Sequence, residues 1–60
     1  MDKAEHGRRL AAAMARQRLS RQVVADAVGK KPRTITNWTS GTTMPDEADL
    51  VILRRPIAGG

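Results

Sequence analysis

Glycine and proline cut this chain into four short stretches, and that punctuation limits the fold more than any other property. Gly29, Pro32, Gly41, Pro45 and Pro56 separate segments whose apolar residues recur at helical spacing, and no segment alternates with a period of two for long enough to make a strand. Residues 3 to about 18 carry five alanines among Arg, Gln, Leu and Met, which predicts a first helix. Its packing face is Leu10, Met14 and Gln17 with Ala13 beside them, and its wet face is Arg8, Arg9, Ala12 and Arg16. Ser20 suits the N-cap of a second helix running from Arg21 to about Val28, with Val24, Ala25 and Val28 on one face and Gly29 as the left-handed residue that ends it. Pro32 fits the first turn of a third helix over about 32 to 40, closed by Gly41. Asp46 can cap a fourth, whose acidic first turn (Asp46, Glu47, Asp49) and basic last turn (Arg54, Arg55) complement the helix dipole before Pro56 stops it. The expected fold is all-α, a compact four-helix domain over residues 1–56 with a flexible C-terminal tail at 57–60.

Sixty residues make one small domain, which buries only about 60% of the surface its unfolded form exposes. A large substrate cavity would consume that core, so the length argues against a conventional enzyme. There is no cysteine, hence neither a disulfide framework nor a cysteine zinc site to reinforce the domain, and the composition suits a reducing cytoplasm. The longest apolar run, Leu50 to Leu53, is far short of the roughly 20 residues that span a bilayer. A soluble protein with no membrane partner is the expectation.

The formal net charge is +5, and it is regional. Residues 8 to 33 hold Arg8, Arg9, Arg16, Arg18, Arg21, Lys30, Lys31 and Arg33 against Asp26 alone, a balance of +7, whereas 1 to 7 and 34 to 60 each come to −1. Such an asymmetry fits a polyanion footprint, with nucleic acid ahead of an anionic membrane surface, although an ordinary solvated surface gives the same count.

Leu19-Ser20, Val24-Ala25, Val28-Gly29, Ile35, Trp38, Gly41, Pro45, Leu50 and Leu53 form a single gapless pattern. It resembles the helix-turn-helix domain of the phage repressor and Cro family and its bacterial relatives. The resemblance covers residues 19 to 53; the first helix fits by position and polarity. It implies a repressor-like domain in which Ala25 is small where the two helices of the motif cross, Gly29 turns the chain, and Ile35 and Trp38 anchor the third helix on the core. Arg33, Thr36, Asn37 and Ser40 then face outward.

The resemblance further implies a double-stranded DNA operator as partner, read in the major groove. Family position assigns base edges to Arg33, Thr36 and Asn37, with Pro32 close enough for an apolar contact. Phosphates fall to the start of the second helix, at Ser20, Arg21 and Gln22, and to the loop after the third, at Thr42 and Thr43. That loop lacks a Lys or Arg pair and must rely on hydroxyls and backbone N–H groups, while Lys30 and Lys31 compensate at some cost in capping. Many relatives add a fifth helix that builds a dimer interface. This chain lacks it, which reads either as a truncated domain or as a minimal Cro-like protein. Leu50 and Leu53 serve the core, so Val51 and Ile52 are left over and, with Ile57, form the expected seam of a weak homodimer on DNA.

Other readings of single residues are weaker. Trp38 could stack on a base, but its spacing from Ile35 marks it as core. His6 has no second His, no Cys and no placed carboxylate, so it reads as a surface or half-buried residue and no metal site is expected. Ser20 and Asp26 lack the histidine that a hydrolytic triad needs, and no Gly-rich phosphate loop is present. No catalytic residue and no cofactor are expected. The chain therefore reads as a transcriptional regulator in the cytoplasm of a bacterial host, phage or prophage in type. A protein-interaction module of the same fold, such as an antitoxin or cofactor, is the alternative, and a cationic membrane peptide a more remote one.

Overall fold

The computed structural model describes residues 2–55, in which four helices follow one another: α1 (Lys3–Gln17), α2 (Arg21–Val28), α3 (Pro32–Thr39) and α4 (Glu47–Leu53). No strand occurs among the described residues. All four expected helices are present, with Ser40 capping α3 rather than belonging to it. The expected tail and Ile57 lie outside the described residues.

Three helices begin on a side-chain cap, which satisfies a backbone N–H that the first turn leaves unpaired. Asp2 accepts from the Glu5 N–H at 2.7 Å, Ser20 from Val23 at 3.2 Å and Asp46 from Asp49 at 3.0 Å. The exception is α3, where Lys31 stands at the N-cap without a side-chain hydrogen bond and Pro32 opens the helix, removing one N–H from the demand. Gly29 ends α2 at φ 70° as expected. At the end of α1 the same left-handed turn falls on Arg18, at φ 56°, and the Leu19 N–H closes it on the Met14 carbonyl at 2.8 Å. A side chain at that φ is disfavoured, so the chain accepts strain there to bring α2 around.

The core is Met14, Val24, Ala25, Val28, Ile35 and Trp38, with Leu10, Leu19, Ile52 and Leu53 packed against it. α3 lies against both α1 and α2, and α4 packs on α2. Two expectations about faces are corrected. Gln17 is exposed, and the packing face of α1 is instead Gly7, Leu10 and Met14. On α4, Ile52 and Leu53 pack on the core, Leu50, expected there with Leu53, is half-buried but not among the residues packed against it, and Val51 is exposed, with Asp49, Ile52 and Leu53 sharing one side at i, i+3 and i+4. Asp49, in the acidic first turn of α4, is only 5% exposed.

Gly7 explains how α1 is seated. A Cβ there would lie 2.5 Å from the carbonyl oxygen of Trp38 and 2.7 Å from that of Thr39, so α1 meets the end of α3 backbone to backbone. Gly41 completes the joint: its φ is 80°, and a Cβ on it would stand 3.0 Å from the Cα of Ala4. The two glycines hold α3 at a fixed height against α1, which in turn fixes how far its outer face projects.

Candidate nucleic-acid interface

Ile35 is fully buried and Trp38 is 3% exposed, so α3 is pinned along one side. Its opposite side carries exposed Pro32 and Arg33 and half-buried Thr36 and Asn37, with exposed Lys31 just before the helix and Ser40 just after it. Arg33 and Asn37 are four residues apart on one face, and neither side chain has a hydrogen bond or ion pair with any described residue. Both are therefore available to a ligand. A guanidinium can bind guanine O6 and N7 with two bonds, and a carboxamide can do the same to adenine N6 and N7.

Thr36 is not free in that sense. The Arg21 guanidinium reaches across from the first turn of α2 and donates from Nη1 to Thr36 Oγ1 at 3.0 Å, and the same hydroxyl lies 3.4 Å from the Pro32 carbonyl. Sequence reasoning placed Arg21 and Thr36 in separate roles, because it had no crossing geometry to show that they meet. The other residues at the start of α2 are also engaged. Ser20 Oγ is the cap acceptor for Val23, and the Gln22 amide donates along the helix to Asp26 at 2.8 Å.

The flanking loops hold a further correction. The backbone N–H groups of Thr42 and Thr43 both donate to the Asn37 carbonyl, at 2.9 and 3.2 Å. They close the end of α3 and are not available to a phosphate, so only hydroxyls remain on this side. The Thr42 hydroxyl shares a 2.9 Å hydrogen bond with Ser40. The Asp49 N–H chiefly holds the Asp46 carboxyl below its ordinary value, and the Lys30 charge adds to that effect. Lys30 and Lys31 are both exposed, with no ion pair among the described residues.

The wider surface keeps the basic bias. Arg8, Arg16, Arg18 and Arg33 are exposed, and Arg9 pairs with Glu5 at 3.0 Å, one turn along α1. His6 is half-buried, with its Nδ1 enclosed and without a hydrogen-bond partner among the described residues. Among the described residues no group of three or more His, Cys, Asp or Glu could hold a metal ion, and no helix is long and apolar enough to cross a membrane.

Comparison with known families gives a match to the helix-turn-helix family over residues 10–56. A search of curated proteins and of solved structures finds no significant match. The matched span runs from Leu10 through the whole of α2, the turn, α3 and α4, the same elements that carry the packing and the outward face described above. The family is one of DNA-binding regulators, and the chain belongs to it as a helix-turn-helix protein of the Cro and repressor type.

Proposed function

We propose that the protein is a sequence-specific regulator of the phage repressor or Cro kind, which occupies an operator by laying α3 in the major groove of double-stranded DNA. The observation that carries this reading is the division of α3. Ile35 and Trp38 are buried on one side, and on the other the Arg33 and Asn37 side chains have no hydrogen bond or ion pair among the described residues. Arg33, Thr36 and Asn37 read base edges, with Pro32 beside them. Ser20, Arg21, Gln22, Lys30, Lys31, Thr42 and Thr43 surround them as the phosphate-facing rim, in which exposed Lys31 supplies charge and Ser20 keeps a hydroxyl hydrogen to donate.

Selection of bound sites from a random duplex library at physiological salt tests this. Enrichment of one motif of a few base pairs per half-site is the expected result. A pool that stays random, with binding that depends only on salt, would reduce the basic surface to non-specific affinity and favour the protein-interaction module.

A further inference from the structure

We infer that Arg21 is a positioning residue for base recognition, and that by occupying the Thr36 hydroxyl it makes Thr36 a reader of the methyl group of a 5-methylpyrimidine, thymine in ordinary DNA. This inference rests on the proposed docking of α3 in the major groove. Its basis is the contact between Arg21 Nη1 and Thr36 Oγ1 at 3.0 Å, which joins residues fifteen positions apart and is the one side-chain hydrogen bond linking α2 to α3 among the described residues.

A threonine in a helix divides between two χ1 wells, so an unassisted Thr36 would offer a groove either its hydroxyl or its methyl. The hydroxyl has one hydrogen to donate and lone pairs to accept. Here it accepts from Arg21 and lies within reach of the Pro32 carbonyl as a donor. What is left without a partner is the methyl, and a methyl discriminates by packing against another methyl in the major groove, where thymine carries one at C5. The guanidinium keeps four further N–H donors, so Arg21 can hold Thr36 and face a phosphate at the same time. The half-burial of Thr36, with its hydroxyl held by Arg21 and within reach of the Pro32 carbonyl, suits a side chain that is set in place rather than one that searches.

The test uses the duplex obtained by selection and replaces each thymine in turn with deoxyuridine, which deletes the methyl and nothing else. For the parent protein, one position should weaken binding by about fourfold, the worth of one buried methyl group. Thr36→Val, which keeps a methyl and removes the hydroxyl, should retain that sensitivity, and Thr36→Ser should lose it. Arg21→Ala should reduce the thymine-to-deoxyuridine ratio at the same position towards one, yet do nothing further to that ratio in the Thr36→Ser background. Circular dichroism confirms that each variant keeps its helices. If Arg21→Ala weakens all duplexes alike and leaves the ratio intact, Arg21 is a phosphate contact only and the assignment fails. It fails equally if no thymine in the site is sensitive. A library that enriches nothing overturns the docking itself and this assignment with it, so the two failures are told apart at the first step.

Discussion

The carbonyl oxygen of Trp38 occupies the space that a side chain on Gly7 would need, with a Cβ at that position falling 2.5 Å away. Helix propensity alone argues the opposite choice, since alanine in a helix is favoured over glycine by about 1 kcal/mol. The obstacle is backbone from α3, which cannot turn aside as a flexible side chain could. Overpacking of that kind costs about 1–3 kcal/mol, at the upper end where backbone must move. Gly7→Ala should therefore melt at a lower temperature than the parent. Thermal unfolding checks it, and a variant that melts higher would mean that α1 can slide over the end of α3.

How much of this was readable beforehand follows the range of the interactions involved. Gly29, Pro32 and Asp46 act on their own turns, and the ends they imply are found where they stand. Ile35 and Trp38 announce the buried side of α3 by their spacing. Gly7 carries no such local signal, because its reason is a carbonyl supplied by another element. Ile52 changes sides for a similar reason: seven residues of α4 offer apolar groups on more than one face, and only the contact with α2 decides which is inside. The Arg21 and Thr36 contact and the use of the Thr42 and Thr43 N–H groups by Asn37 depend on tertiary geometry that no local pattern encodes.

Arg33 and Asn37 should affect recognition without affecting the fold. Each side chain lies on the outer side of α3 and makes no hydrogen bond or ion pair with a described residue, so Arg33→Ala and Asn37→Ala should leave helical content and melting temperature near those of the parent. Each should lose about 1–3 kcal/mol of discrimination at one base pair, and at a different base pair. Competition binding with single-position variants of the selected site measures this. Unaltered selectivity in both variants would remove α3 from base reading.

Asp46 links stability to pH. Its carboxyl is held below its ordinary value of 3.8 by the Asp49 N–H first and by Lys30 in addition, so folding favours the ionised form. A depressed carboxyl contributes its stability above the unfolded value and loses it as pH falls through the folded one, which places the loss below about pH 4. Asp46→Asn can still cap the helix but carries no charge. The parent should therefore lose melting temperature more steeply than Asp46→Asn as the pH is lowered through that window. Parallel curves would show that the charge contributes nothing to the cap.

Pairing on DNA is expected to depend on Val51. One helix in one major groove covers a half-site, and a half-site gives limited discrimination against a genome of competing sequence. A second copy on the same face of the duplex would sit about one helical turn away, roughly 34 Å, so selected sites should be approximate inverted repeats with that spacing. Of the residues first read as a seam, Ile52 packs against the core and Ile57 lies outside the described residues, which leaves Val51, 42% exposed. Burying Val51 at a contact would add to affinity only when two copies are bound. Val51→Lys should therefore leave the protein folded, spare binding to an isolated half-site, and weaken cooperative filling of the full repeat. Binding isotherms on half and full sites separate these effects. Undiminished cooperativity in Val51→Lys would move the seam away from α4, and selected sites without inverted symmetry would mean that one copy acts alone.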